Sequence, residues 1–420
     1  MASSVRPLRP DEWRVWRDLR LRALADSPDA FGEALASAQL KDDASWVAWT
    51  ARHPSRVHLL AEHDGVPVGI AVIAIEGLRA NLYAMWVSPE ARGVGLGRAL
   101  VDAALGWARA RAVLEVGLRV SERQPKARRL YLAAGFADTG VRSRLRDGSE
   151  LTSDVLVARQ PPLIMGVVNV TPDSFTDGGA YLDPGTAVAH GQRLIADGAD
   201  ILDIGGEATN PRATPVTADE ELRRVMPIIE QLAAMGVRLS IDTTKAKVAR
   251  EAVRAGASIV NDVSGGLFDP AMAATLADLE VTYIAGHLRG RSLPEVFSAE
   301  EGVPWPVVAA ELGERLAALP PSVTVWVDPG IGFGKGPDPE GNLQLLRHAG
   351  DISRAVGRPI VVGPSRKRFL RRILGGAPDL AALDIATVAA SLAAVHAGAH
   401  VVRTHNVALL RTALTVYTKV

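Results

Sequence analysis

At 420 residues the chain exceeds one ordinary domain and is long enough for two well-filled cores, one of them of about 250 residues. Residues 1–160 carry 23 Lys and Arg against 19 Asp and Glu, and residues 161–420 carry 24 against 28, so neither half is a polycation and no nucleic acid is expected as a partner. Cysteine is absent, which excludes disulfides, thiolate metal sites and a cysteine nucleophile and fits a reducing compartment.

The first sixteen residues mix charged and apolar side chains, and no later segment approaches the roughly 18 uninterrupted apolar residues of a membrane span. Neither export nor membrane insertion is expected, and the expected location is cytoplasmic. Trp13, Trp16, Trp46 and Trp49 recur at helical spacing, which reads as helix packing, with a place in a substrate pocket as the second reading. β-rich segments at 59–75 and 82–87 lead through a glycine-rich turn at 88–97 to an amphipathic helix at 98–110, the order of a small α+β domain. In that turn Arg92, Gly93, Val94, Gly95, Gly97 and Arg98 lead into the helix. Glycines there let successive backbone N–H groups face an anion at the helix N-terminus; the bland reading of the same glycines is tight packing.

The pattern Arg92-x-x-Gly95-x-Gly97, followed by 127–131 (ARRLY) and Gly135-Phe136, resembles the GNAT N-acetyltransferases over roughly residues 3–158. The resemblance implies that the turn binds the pyrophosphate of acetyl-CoA and that Tyr131 is the acid that protonates the departing thiolate. Gln124 stands where the family usually has an asparagine at the cofactor, and strand 82–87 carries no evident general base. A non-catalytic CoA-binding module is the alternative for this half.

A strand at 151–158 runs into Arg159-Gln160-Pro161-Pro162, and prolines cannot donate to a ladder. The expected domains are therefore 1–158 and 163–420, with 159–162 as linker. Beyond the cut, strands are expected at 163–170, 200–204, 238–241, 258–260, 281–285, 323–327, 359–362 and 400–403, alternating with Ala/Leu/Arg-rich helical stretches. Eight βα units of this size predict an α/β fold, a (β/α)8 TIM barrel.

Barrel enzymes carry their chemistry where strands end. The first strand is followed by 169–179 (NVTPDSFTDGG), the second by 205–211 (GGEATNP), and the next two by Asp242-Thr243 and Asn261-Asp262. The fifth ends near His287, the sixth in Asp328-Pro329-Gly330, the seventh in 363–367 (GPSRK), and the eighth in Arg403-Thr404-His405. One polar strand end is more often a helix cap or a turn; all eight together point to a site. Asp242, Asn261 and Asp328 offer acceptors and an amide to a planar heterocycle, while Lys367, Arg403 and His405 gather cations where barrels bind phosphate.

These segments, with 165–169 (MGVVN) and 328–335 (DPGIGFGK), resemble in order the motifs of the dihydropteroate synthases across residues 162–420. The resemblance implies condensation of a pterin pyrophosphate with p-aminobenzoate, with Asp242, Lys367, Asp177 and Arg403 as the catalytic set. Asp242, Asn261, Asp328 and Lys367 would hold the pterin ring, with Phe333 and Gly363 lining the pocket. Asn169, Arg403 and His405 would hold pyrophosphate, with Mg²⁺ on Asn169. The first two loops, through Phe175, Asp177, Thr209 and Pro211, would close over p-aminobenzoate. The family's usual dimer is implied as well. The chain departs from the family at Ala208 and Asn210, where Ser and Arg are usual and where Arg212 is a substitute, at Gly286 for a methionine, and at Arg368 for a serine. The rival reading is a pterin-dependent methyltransferase barrel, against which 169–179 and 365–367 argue.

Overall fold

In the computed structural model, which describes residues 2–171, 183–210 and 214–420, the chain divides into the units Met1–Gln160 and Pro161–Val420. The first contains a sheet of β1 (Ser3–Pro7), β2 (Arg56–His63), β3 (Val66–Glu76), β4 (Arg79–Val87), β5 (Glu115–Ser121), β6 (Ala137–Arg144) and β7 (Thr152–Arg159), in the order β1-β2-β3-β4-β5-β7-β6. Alternation along β3 divides its side chains between two cores. Ala71 and Ile73 pack with Leu96 and Leu100 of α4 (Leu96–Arg109) and with Tyr131 of α5 (Pro125–Ala133). Ile70 and Val72 pack with Trp13 and Trp16 of α1 (Trp13–Asp26), Ala38 of α2 (Leu35–Gln39) and Trp46 of α3 (Asp43–Thr50).

Only β4 and β5 run parallel, and only from the Arg79–Glu115 pair to the Leu82–Leu118 pair. Past that point β5 stays with β7 as far as Ser121–Ser153, whereas β4 shifts register against β3 between Ile70 and Val72. Ala84 sits in the shifted stretch at φ +55°, a left-handed conformation that is uncommon for a residue with a side chain. The irregularity separates β4 from β5 and opens the sheet between them. Arg159, which the sequence placed in the linker, is the last residue of β7 and pairs with Glu115.

In the second unit the eight expected strands are all present: β8 (Leu163–Asn169), β9 (Ile201–Gly205), β10 (Arg238–Asp242), β11 (Ile259–Asp262), β12 (Thr282–Gly286), β13 (Thr324–Asp328), β14 (Val361–Val362) and β15 (Val401–Thr404). They are parallel, in the ladder order β13-β12-β11-β10-β9-β8-β15-β14. A bridge between Val327 and Ile360, with the Val327 N–H donating to the Pro359 carbonyl at 2.9 Å, links the two ends of the ladder. β14 is shorter than expected, since Pro359 has no N–H to donate. The surrounding helices are α6 (Pro184–Ala196), α7 (Ala218–Ala233), α8 (Ala246–Arg254), α9 (Met272–Ala277), α10 (Leu293–Phe297), α11 (Trp305–Ala317), α12 (Glu340–Arg347), α13 (Ala349–Val356), α14 (Arg368–Leu374), α15 (Leu380–His396) and α16 (Val407–Tyr417). Among the described residues no helix is long and apolar enough to cross a membrane.

Side-chain caps start several of these helices; Asp379 accepts from the Ala382 N–H at 2.8 Å at the head of α15. Asp379→Ala is expected to cost about 1 kcal/mol of stability, read as a lower denaturant midpoint with an unchanged slope.

Candidate active site at the C-terminal rim of the barrel

Strands β9, β10, β11 and β15 bring four polar side chains together inside the barrel. Arg403 donates from Nε to Asp203 Oδ2 at 2.5 Å and from Nη2 to Asp242 Oδ2 at 2.8 Å, and Asn261 Nδ2 donates to the same Asp203 oxygen at 3.1 Å. Among the described residues Asp203 Oδ1 is buried without a hydrogen-bond partner, and no hydrogen bond occupies Arg403 Nη1. One guanidinium thus serves two carboxylates. Burial, opposed by Arg403 and reinforced by the charge of Asp203, pushes the Asp242 carboxyl up to about 7. Arg403 itself is held charged: burial works against the cation, but Asp203 and Asp242 outweigh it.

Across the opening stand Asp328 and Lys367. Burial raises the Asp328 carboxyl, against the Gly330 N–H bonded to its Oδ1 at 2.7 Å and the charge of Lys367. Burial and Arg403 bring the Lys367 ammonium down to about 8, with Asp328 and Asp242 opposing, and its Nζ sits 4.1 Å from the centre of the Phe333 ring. Asn169 ends β8 beside Gly205, where a Cβ would lie 3.8 Å from Asn169 Oδ1 and 3.5 Å from Asp242 Cβ. A Cβ on Gly363 would lie 3.7 Å from Arg403 Cβ, so that glycine lines the same corner.

His405 departs from expectation. Its Nδ1 lies 2.8 Å from Ser365 Oγ, and burial together with Arg366, Arg403 and Lys367 holds it well below its usual range. Burial first, and then the cations around it, disfavour a third positive charge on this ring.

A cleft of about 690 Å³ opens beside this set, lined by Thr209, Phe297, Phe333, Lys367 and Arg368 among others. Phe297 lies 5.7 Å from Phe333, and the Arg368 guanidinium lies 5.4 Å from the Phe297 ring. The loop carrying Phe333 is fixed from below by Lys335, which is buried. Its Nζ meets the Phe333 carbonyl at 2.9 Å, the His287 carbonyl at 3.1 Å and His287 Nδ1 at 3.0 Å. Burial and Lys335 push His287 down to about 3, so Nδ1 accepts while Nε2 donates to Glu311 at 2.7 Å. Phe175, Asp177, Pro211 and Arg212 lie outside the described residues.

Two residues that sequence reasoning missed belong here. Asp203 falls inside the expected strand 200–204 with no role assigned to it, yet an acid inside 201–205 (ILDIG), all buried, is a signal in itself. Phe297 lies on a short helix beyond β12 and left no trace in any strand-end pattern.

In the N-terminal unit the glycine-rich turn leads into the first turn of α4, whose leading N–H groups have no intrahelical acceptors. Gly93 and Gly95 both take φ +90°, a conformation that favours glycine, while a Cβ on Gly97 would lie 3.2 Å from Leu130, so close packing accounts for Gly97. Val94 is exposed. Arg92 is tied to Asp26 at 2.5 Å, and Arg98 to Asp102 at 2.9 Å and to the Ala133 carbonyl at 3.0 Å. A second cavity, of about 540 Å³, lies where β4 and β5 part, with Tyr131, Met85, Tyr83, Arg119 and Trp49 in its wall. Tyr131 Oη approaches Met85 Sδ at 3.4 Å, and burial pushes the phenol up to about 12, so it keeps its proton at neutral pH. Trp13, Trp16 and Trp46 are buried in the core, whereas Trp49 packs on Trp16 at 5.7 Å and also faces the cavity.

Fold and site together define a pterin-binding barrel enzyme that carries an acetyltransferase-type domain: the family model for pterin-binding enzymes matches residues 165–405, and that for the GNAT acetyltransferases matches 16–136. Over 262 residues the chain is 44% identical to the dihydropteroate synthase of Mycobacterium leprae, spanning 59% of this chain and 89% of that one. The Xanthomonas albilineans dihydropteroate synthase solved with 4-aminobenzoic acid superposes with a TM-score of 0.54 at 41% identity, covering 62% of this chain and 93% of that one. The same enzyme in complex with 7,8-dihydropteroate gives 0.51 at 37% identity, with the same coverage. The chain belongs to the dihydropteroate synthase family.

The shared guanidinium makes a prediction. A carboxyl titrating near pH 7 is expected in the ligand-free protein, followed by the ¹³C shift of Asp side chains, and Asp203→Asn should move its midpoint downward by removing a repelling charge. A midpoint that stays in place would mean that Asp203 does not act on Asp242.

Proposed function

We propose that the barrel condenses 6-hydroxymethyl-7,8-dihydropterin pyrophosphate with p-aminobenzoate to give 7,8-dihydropteroate and pyrophosphate, and that the N-terminal domain transfers acetyl from acetyl-CoA to an amine. The observation that carries the first part is the convergence of Asp242, Asn261, Asp328, Lys367 and Arg403 on one buried pocket beside a cleft. Asp242, Asp328 and Asn261 pair with the ring's N–H groups and carbonyl, and Lys367 bonds the ring from the side of Phe333. Arg403 keeps Nη1 for a phosphate oxygen while its other two nitrogens are held by Asp203 and Asp242. The methylene C–O bond breaks with its electron pair leaving on pyrophosphate, the pterin ring spreads the methylene cation, and the aryl amine closes the C–N bond and releases a proton to water. The protein supplies position and fixed charge, and no enzyme nucleophile is needed.

Among the described residues no cluster of three or more His, Cys, Asp or Glu side chains forms a cage for a cation. Asn169 fits Mg²⁺ as a single hard oxygen donor to an ion that arrives with the pyrophosphate. Such an ion would neutralise leaving-group charge. The relatives favour a synthase over a pterin-dependent methyltransferase.

The test is to incubate the purified protein with the pterin pyrophosphate, p-aminobenzoate and Mg²⁺ and to measure dihydropteroate. Wild type should make it and Lys367→Ala should lose on the order of 10²-fold in rate; no product from a folded wild-type protein overturns the assignment. Pterin N–H donors favour ionised Asp242, whose carboxyl titrates at about 7 when free. kcat/KM for the pterin should therefore fall as pH drops below 7, approaching tenfold per unit, and a flat profile from pH 7 to 5.5 would refute that role. At the cleft, Arg368 stands near Phe297 in reach of an incoming carboxylate. Arg368→Ser is expected to raise the KM for p-aminobenzoate several-fold with little change in kcat.

A further inference from the structure

The cavity between β4 and β5 has a distinctive lining. Besides Tyr131, its wall includes three aromatic side chains: Phe31 from the loop after α1, Trp49 from α3 and Tyr83 from β4. Arg119, on the part of β5 that has separated from β4, lines it too. Arg119 donates from Nε to Ser153 Oγ at 3.1 Å and from Nη2 to the Arg144 carbonyl. Both acceptors are neutral, and among the described residues no carboxylate pairs with this guanidinium. The other cation in the wall, Arg20, is balanced differently: Glu33 holds its Nη2 at 2.9 Å and takes Lys41 on its other oxygen, while among the described residues Arg20 Nη1 is buried without a partner.

The acids are few. Glu76 is the one carboxylate among the residues lining this cavity; it is exposed and accepts from Asn81 Nδ2 at 3.2 Å. With Arg20 already matched by Glu33, a polycationic acceptor would meet the guanidinium of Arg119 and gain only one solvated acid, which is unfavourable. The strand next to Tyr131 also offers no buried base. An alkyl amine is protonated at neutral pH and needs a base to free its lone pair, whereas an aromatic amine, whose lone pair is drawn into the ring, is neutral already.

We infer that the acetyl acceptor is an aromatic amine bearing an anionic group, a carboxylate or a phosphate, which pairs with Arg119 while the ring packs among Phe31, Trp49 and Tyr83. The inference rests on the acetyltransferase reading of this domain. In the transfer the amine nitrogen attacks the thioester carbonyl carbon, the C–N bond forms and the C–S bond breaks. The amine proton goes to water, and the CoA thiolate takes the proton of Tyr131 Oη, which solvent restores. A cavity of about 540 Å³ is of the size that holds a small ligand together with the acetyl end of a cofactor. p-Aminobenzoate, the amine proposed for the barrel, is the simplest probe of the class.

The experiment uses the full chain without pterin. Acetyl-CoA binding is measured by calorimetry, and then labelled acetyl-CoA is offered with p-aminobenzoate, 4-aminophenyl phosphate, aniline and spermidine. At least one anionic aryl amine should be acetylated with kcat/KM tenfold or more above aniline and spermidine, and the better of the two tells carboxylate from phosphate. Arg119→Gln should shrink the preference over aniline at least tenfold. The inference is overturned, with the acetyl-CoA site intact, if acetyl-CoA binds but spermidine or aniline is the better acceptor, if none of the amines is acetylated, or if Arg119→Gln keeps the preference. Absence of acetyl-CoA binding would instead remove the acetyltransferase reading and this inference with it.

Discussion

One guanidinium between two buried carboxylates organises the barrel site. Arg403 reaches from β15 to Asp203 on β9 and Asp242 on β10, and Asn261 on β11 joins the same Asp203 oxygen. Leaving a charge unpaired in such surroundings would cost several kcal/mol, so the strands that carry these groups are held in one relative register. The arrangement is deliberately short of positive charge. Burial, with two acids sharing one arginine, raises the Asp242 carboxyl to about 7, and the pocket keeps acceptor capacity for a ligand that brings its own N–H donors.

The far side of the pocket is held by close approach of backbone. A Cβ on Gly330, at φ +75°, would lie 1.8 Å from the His287 carbonyl, and one on Gly286 would lie 2.5 Å from the Val263 carbonyl. No side chain fits at either place. That explains why Gly286 lacks the methionine expected there by resemblance: the chain after β11 occupies the space. Lys335 then locks the same region by bonding two carbonyls and a neutral imidazole, which positions Phe333, and Phe333 in turn meets Lys367. Rim geometry therefore depends on a buried lysine that sits behind Phe333.

In the N-terminal unit the comparable constraint is the misfit of β4. The register shift and the left-handed Ala84 end its pairing with β5 after Leu82, and the gap becomes a cavity with Tyr131 in its wall. Sequence reading found the turn and the tyrosine but not the gap, since neither Ala84 nor its neighbours carry a glycine or proline to mark a bulge.

The sequence by itself determined the eight-strand barrel, the smaller mixed-sheet unit before it, and the identity of most polar strand ends. These depend on local periodicity and on breaks such as Pro161-Pro162, which a linear pattern records. Tertiary structure alone decided which of those ends meet and in what charge state. Asp203 became a partner of Arg403 because two hundred residues of chain close on themselves, and burial, together with Arg366, Arg403 and Lys367, disfavours the charged form of His405. Burial and through-space charge act between residues far apart in sequence, so protonation, and with it the chemistry of the pocket, is a property of the closed barrel and not of any motif.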